Sequence, residues 1–369
     1  MKEGWKYMPL GKLCDILNGF AFKSTEYVSS GIRVIRITNV QKGFIIDNQP
    51  KFYPNKYYST LKNFILHEGD LLMSLTGNVG RVGILPKEML PAALNQRVAC
   101  LRLKSDIITK KYLYYILNSN YFEKLCIKNS TGVAQLNMST VWLSNTTIPL
   151  PSLSEQERIV AFLDAEFEKI DQLKANAAAQ LQAAKDLSQA ALKEMLTPKE
   201  GWKSGVLGDI ATILHGKNQK EVISEQGKYP IYGSGGNIMG YASEYLCDEG
   251  TTILGRKGTI NNPIFINEKF WNVDTAFGII AKGADKKFLY YRIKHENWQE
   301  RNTGTTLPSL TQSVVLSVPI WYPSIDEQKV IADKLDEISE KVKALQSNYD
   351  QTLTLCNDLK QALLKSIFA

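Results

Sequence analysis

The run Pro151-Ser152-Leu153-Ser154-Glu155-Gln156-Glu157-Arg158-Ile159 decides how this chain is built, because it returns as Pro323-Ser324-Ile325-Asp326-Glu327-Gln328-Lys329-Val330-Ile331. Each copy sets a proline ahead of a serine and a glutamate spaced three apart. That is the pattern of a helix capping box: Ser152 with Glu155 or Ser154 with Glu157 in the first copy, Ser324 with Glu327 in the second. Downstream of the second, Ile331, Leu335, Ile338, Val342, Leu345, Tyr349, Thr352, Cys356, Leu359 and Leu363 fall at alternating steps of four and three. Ile159, Leu163, Phe167, Ile170, Leu173, Ala177, Leu181, Ala184, Ala191 and Met195 follow the first more loosely. The spacing predicts two helices of about 43–45 residues, roughly 65 Å each, with a narrow coiled-coil seam. No small domain can satisfy such a helix alone, so the two should pair, and the chain path requires them to run antiparallel. Apolar side chains off the seam (Phe162, Leu187, Leu192, Leu353, Leu355, Ile367) leave a second face for partner helices.

Outward from this motif the whole chain reads as a duplication. Glu3–Lys6 returns as Glu200–Lys203, and at the same offset of 197 Leu10-Gly11, Ile16-Leu17 and Gly19 match Leu207-Gly208, Ile213-Leu214 and Gly216. Later the offset is 172, joining Thr131-Gly132 to Thr303-Gly304 and Leu163-Asp164 to Leu335-Asp336. Between these the match is poor, although Gly77–Gly80 resembles Gly255–Gly258 and Leu113–Tyr115 resembles Leu289–Tyr291. The second copy is 25 residues shorter. The expected fold class is α+β and pseudo-two-fold. Two β-rich mixed bodies, residues 1–150 and 200–323, are joined by long helices in 151–199 and 324–369 that form an antiparallel coiled coil. Within the bodies, Arg33–Asn39, Asp70–Leu75, Val98–Leu103, Thr251–Leu254 and Phe277–Ala281 read as strands, and Lys111–Leu117 and Lys287–Ile293 as short helices.

Composition narrows the function. With 44% hydrophobic and 22% charged residues, the 369-residue chain is globular rather than disordered or low-complexity. No apolar run approaches the roughly 18 residues of a membrane span, and the N-terminus has no uninterrupted apolar stretch of signal-peptide length, so the expected address is the cytoplasm. The five cysteines are scattered without a CxxC pair, as suits reduced, buried thiols, and the three histidines lie too far apart for a histidine-based metal site. Catalytic signatures such as GxGxxG, HExxH and GxSxG are missing. Gly250–Lys257 approximates a phosphate loop but has Arg256 where Lys is required. Asn262–Phe265 approximates an adenine-methyltransferase turn but lacks its second proline.

Charge points to a polyanion. Residues 1–150 carry 19 Lys/Arg against 9 Asp/Glu, whereas residues 200–323 carry 13 against 12, so the first body is strongly basic and the second nearly neutral. Loops between the strands carry the side chains that read DNA: Arg and Lys for guanine and phosphate, Asn and Gln for adenine, glycine for close backbone approach. The candidates in body one are Lys23, Arg36, Asn39, Gln41, Lys42, Thr76, Asn78, Arg81, Gln96 and Arg97, together with the Asn129–Gln135 loop. In body two they are Lys217, Asn218, Asn237, Arg256, Lys257, Thr259, Arg301 and Thr303. Arg36, Asn39, Arg81, Gln96 and Arg256 are the leading single residues. Arg33 and Arg102, on strands, serve structure as readily as binding.

At these residues the chain resembles the DNA-specificity (S) subunit of type I restriction–modification systems. The resemblance lies in Asn18–Ser24, Gly31–Arg36 with Asn39 and Gly43, Thr76–Arg81, Ser130–Gly132, Pro149–Gln156 with Arg158 and Ile159, and Pro323–Ile331. Body two departs at His215-Gly216-Lys217 and Tyr229–Gly235. The resemblance implies a non-catalytic subunit that gives sequence specificity to an adenine-N6 methyltransferase and, with a further subunit, to an ATP-dependent endonuclease. Its implied partners are double-stranded DNA, two modification (methyltransferase) subunits docked on the paired helices, and restriction (endonuclease/translocase) subunits, with no membrane. No cofactor is expected on this chain; S-adenosylmethionine, ATP and Mg²⁺ belong to the partners. Two inverted readers on helices of roughly 65 Å span at most about 19 base pairs, which calls for an asymmetric, two-part target with an unread gap. The rival readings are a coiled-coil scaffold whose terminal domains bind proteins, and an enzyme with an unrecognised site.

Overall fold

Serine caps start both long helices of the computed structural model, which describes residues 4–132 and 135–368. Ser152 Oγ accepts the Glu155 amide and Ser324 Oγ that of Glu327, each at 3.4 Å, so Ser152 and not Ser154 makes the first cap. The helices run over Leu153–Met195 and Ile325–Phe368, 43 and 44 residues. By internal contacts the chain divides into residues 1–176 with 351–369 and residues 177–350, so the boundary passes through both helices. Body one and body two denote the globular parts of these two units.

Each helix is fastened to its body by the same two devices. The carboxamide of Gln156, 0% exposed, accepts the Thr109 amide at 2.9 Å and donates to the carbonyls of Ile107 and Pro151. Gln328, 2% exposed, repeats this, accepting the Asp285 amide at 3.0 Å and donating to Pro323 O at 3.0 Å. Thr109 and Asp285 are themselves the N-caps of the body helices Lys110–Leu117 and Lys286–His295. Two turns further along the long helices, Asp164 accepts the Tyr115 hydroxyl and pairs with Lys111 at 2.6 Å. Asp336 accepts the Tyr291 hydroxyl at 2.5 Å and pairs with Lys287 at 3.2 Å. Burial, reinforced by the aspartate, pushes both tyrosines above their ordinary range and keeps them protonated donors.

The start of the first helix and the end of the second share the core of unit one, where Ile159 and Leu163 join Leu364 and Phe368. Lys360 reaches Asp171 at 2.6 Å and Lys174 reaches Asn357 at 2.7 Å. Partner numbers fall as helix-one numbers rise, which is the antiparallel arrangement expected. In unit two, Leu192, Met195 and Leu196 share a core with Ile331, Ala332 and Leu335. The heptad seam, however, holds only in part. Leu173, Leu345 and Leu359 are exposed, and Leu364 and Phe368 are buried where Leu363 was expected to lead. The helix end packs on body one as well as on its partner helix, with the Phe368 and Tyr112 rings 5.6 Å apart, and this turns its apolar face off the coiled-coil stripe.

The bodies repeat one topology. A four-stranded antiparallel sheet has the order Cys14–Asn18, Val98–Leu103, Leu71–Ser74, Val82–Ile84 in body one. Ala211–His215, Ala276–Ala281, Thr251–Gly255 and Ile264–Ile266 repeat it in body two. A second sheet in each contains one parallel pair, Ile32–Ile35 with Ala92–Leu94 and Tyr229–Tyr232 with Trp271–Asn272. A two-stranded ribbon closes each body, pairing Lys6 with Leu150 and Lys203 with Tyr322. Strand pairing also repairs the alignment that sequence left poor. Leu72 pairs with Cys100 and Gly83, and Ile253 with Gly278 and Ile264, so the offset is 181 over this stretch and 178 over the next. Gly77 therefore corresponds to Gly258 rather than to Gly255. Thr251–Gly255 is a wholly buried strand, and so the middle of the Gly250–Lys257 run is core rather than a phosphate cradle, with Lys257 exposed at its end.

All five cysteines are free and buried, and burial pushes the Cys14, Cys126 and Cys247 thiols up to about 12. Arg33 pairs with Asp47 and Arg102 with Asp70, both structural uses. Among the described residues no helix is long and apolar enough to cross a membrane.

Two outcomes follow for solution measurements. Tyr115→Phe and Tyr291→Phe should each cost about 1–3 kcal/mol in urea unfolding, because each leaves a carboxylate short of a donor. Lying in different units, they should add; a double variant no weaker than either single one would show that the two fastenings are not independent. Raised thiols ionise first in the unfolded chain, so the stability they contribute is whole below about pH 8.5 and is lost as pH rises toward 12. Unfolding midpoints measured from pH 7 to 11 should be level in the lower part of that range and fall in the upper part.

Candidate nucleic-acid interface

The loops singled out by sequence gather by hydrogen bonding at one end of each four-stranded sheet. In body one Gly77 donates to Leu136 O at 2.9 Å and Met138 to Leu75 O at 2.8 Å, while Thr131 and Asn137 exchange backbone bonds. In body two Gly258 donates to Pro308 O at 2.8 Å and Leu310 to Arg256 O at 2.9 Å, and Thr303 donates to Ser309 O at 2.9 Å. Gly77 and Gly258 both stand at positive φ, 70° and 82°, which glycine adopts at little cost. Beside these loops the Leu75 amide bonds Arg97 O in body one, and the Arg256 amide bonds Thr275 O in body two. Of the Asn129–Gln135 loop, Val133 and Ala134 lie outside the described residues.

Four body-one candidates converge on one cleft. Gln41, Thr76, Asn78 and Arg81, with Ile37, Thr38, Ser74 and Gly77, line a hollow of about 270 Å³. Arg81 Nη1 donates to Gln41 Oε1 at 3.0 Å and Gln41 Nε2 to Thr38 O at 3.0 Å, so the arginine is oriented by the glutamine. Thr76 Oγ1 is shielded from solvent and has no hydrogen-bond partner among the described residues. Gln96 and Arg97 are exposed outside the lining of this cleft, tied to its loop by the Leu75 amide, which donates to Arg97 O at 2.9 Å. Such a hollow, with guanidinium, amide and hydroxyl groups on a glycine-opened loop, suits a base edge or a phosphate.

Other candidates are placed differently. Asn39 is 2% exposed, accepting the Arg36 amide at 2.9 Å and donating to Ile46 O at 2.9 Å. Its carboxamide organises its own loop, and Arg36 in turn donates to Gln49 O at 2.8 Å. Lys42 turns from the cleft to Glu123 at 2.5 Å and to Asn120. Lys23 is exposed beside Glu26, on the wall of a separate hollow with Phe20, Tyr53 and Tyr57.

In body two, Lys257 and Thr259 are exposed at the places matching Thr76 and Asn78, and Asn237 is exposed nearby. Asn262, which sequence reading weighed only as part of a decoy, stands where body one has Arg81 and donates to Gly235 O at 3.4 Å. Only the corrected offset of 181 brings it to notice. Lys217 and Asn218 lie on a loop anchored through Asn272 O, and the Lys220 amide bonds Asn218 Oδ1. Arg256 is held over the Phe277 ring at 6.0 Å. Arg301 pairs with Glu296 at 3.0 Å, and Thr303 Oγ1 donates to Ser309 O at 3.1 Å, so both are partly committed to local structure. Among the described residues no group of three or more His, Cys, Asp and Glu is placed to hold a metal ion.

Similarity to known proteins follows the duplication. Residues 2–183 and 199–354 each match the model of the type I restriction modification DNA specificity domain. The chain is 33% identical over 187 residues to the type I restriction enzyme MjaVIII specificity subunit of Methanocaldococcus jannaschii, covering 50% of this chain and 44% of that protein. It is 33% identical over 179 residues to the EcoAI specificity subunit of Escherichia coli, covering 47% of this chain and 30% of that one. The matched stretch thus spans less than half the length of either relative. In fold, the chain is similar to the HsdS subunit of Thermoanaerobacter tengcongensis, with TM-score 0.56, 18% identity, and coverage of 100% and 97%. It is similar also, with TM-score 0.77, 19% identity and coverage of 99% and 97%, to a chain solved in work on complex assembly of the type I R-M system. With both of its halves matched by one domain model and its fold shared over nearly its whole length, the chain belongs to the type I restriction modification DNA specificity domain family.

Proposed function

We propose that this chain is the sequence-specific DNA-binding specificity subunit of a type I restriction–modification complex, reading an asymmetric target in two parts. The observation that carries this reading is the repeated placement of one loop set, anchored by the same hydrogen bonds in both bodies, in a chain whose two halves each match a DNA specificity domain. Body one reads with the Arg81–Gln41 cleft and a basic surface. Body two reads with Lys257, Thr259, Asn262 and Asn237.

The chain itself is non-catalytic in this reading. Exposed apolar residues along the long helices, among them Leu173, Leu187, Leu355 and Leu359, supply the face on which two methyltransferase subunits dock. Restriction subunits join that complex. S-adenosylmethionine, ATP and Mg²⁺ act on the partner subunits, and the assembly works on DNA in the cytoplasm.

Binding to duplex DNA by the complex with methyltransferase subunits should weaken steeply and linearly in log salt. Salt-insensitive binding to a protein, with no DNA binding, would instead favour a scaffold whose end domains hold proteins, a reading for which the near-neutral charge of body two speaks. Arg81→Ala should cost about 1–3 kcal/mol and relax one position of the target if it reads a base, or weaken all sequences alike if it holds a phosphate. Unchanged binding would remove the cleft from the interface. Deleting four residues within Ala175–Ala184 should shorten the unread gap and keep both half-sites. A methylome with altered half-sites at constant spacing would contradict that.

A further inference from the structure

We propose that Ile238 and Met239, an exposed apolar tip on body two, read thymine in the target by contact with its C5 methyl group. This rests on the DNA-reading function proposed above and assigns the chemistry by which the weakly charged body achieves recognition.

The matched strand pairs locate the tip. Ile32 pairs with Tyr53 and Arg33 with Phe52 in body one; Tyr229 pairs with Ala242 and Pro230 with Tyr241 in body two. Between these matched strands body one inserts residues 36–51, the segment that carries Arg36, Asn39, Gln41 and Lys42. Body two has only residues 233–240 in the same place, and they contain no Lys or Arg. The polar loop of one copy is thus replaced by a glycine-rich hairpin whose most prominent side chains are Ile238 and Met239, 51% and 50% exposed.

Their surroundings match a DNA-facing edge. Asn237, adjacent in sequence, is exposed. Gly235 lies against Thr259, and its carbonyl accepts from Asn262 Nδ2. The strand Ile238–Ala242 lies at the edge of its three-stranded sheet, a place where bare apolar residues invite association unless a partner covers them. A protein partner would require a further interface on the loop set already assigned to DNA. Thymine requires none: in the major groove it presents a methyl group beside the acceptors and donors that Asn237 and Asn262 can pair with.

The test uses the full chain assembled with its methyltransferase subunits, and duplexes carrying the target recovered from methylation sequencing. Each thymine is replaced in turn by deoxyuridine, which removes only the methyl group. The wild-type complex should lose affinity about three- to tenfold at one or two thymines of a single half-site. The Ile238→Ser/Met239→Ser variant should bind the unaltered duplex with about the same loss, melt at the wild-type temperature, and be indifferent to deoxyuridine at those positions. Equal wild-type binding to every deoxyuridine duplex, or undiminished methyl sensitivity in the variant, overturns the proposal and leaves the DNA-reading function standing. Loss of methyltransferase assembly in the variant would make the tip a protein contact and also overturn it. A wild-type complex that binds no duplex selectively would bring down the functional reading and this proposal together.

Discussion

One buried carboxamide per copy holds each unit together. Gln156 and Gln328 sit at the first turn of a long helix with essentially no solvent, and each joins the backbone of its helix start to the backbone of its body. A buried amide without partners would cost several kcal/mol, so these positions accept only a side chain with a donor and an acceptor at that reach. Glutamate would bury a charge and lack the donor. The Tyr115–Asp164 and Tyr291–Asp336 bonds add a second point two turns away, and two points along a rod fix direction as well as position. Loops carried by a body held on such a base keep their geometry.

Much of this was legible in the sequence because it depends on local rules. Prolines, capping serines and apolar periodicity located both helices to within a residue or two, and the offsets of 197 and 172 marked the start of each body, its Thr-Gly loop and the helix entry. The echoes Leu113–Tyr115 with Leu289–Tyr291, and Leu163-Asp164 with Leu335-Asp336, were visible separately. Only the fold shows that they are the two ends of one hydrogen bond.

The less legible parts depend on distant partners. Lys42 reads as a free cation until Glu123 comes beside it. Asn39 reads as a base reader until its carboxamide is seen closing its own loop. Gly77 was matched to Gly255 because two glycines three apart recur there, whereas strand pairing places Gly258 at that turn. Leu364 is buried more deeply than Leu363, which packs against the same core only in part, because the helix end answers to body one as well as to its partner helix. The loops at Thr131 and Thr303 echo each other at offset 172, but the relation of Thr76–Arg81 to Lys257–Asn262 emerges only through the strands that bear them.

The direct measurement is backbone hydrogen exchange of Thr109 and Asp285, the amides that donate to the two buried carboxamides. If the glutamines hold each body on its helix as described, both amides should exchange only with the global unfolding of their unit, at rates set by its full stability. Exchange as fast as that of the surrounding surface loops, with the helices still intact, would contradict the account.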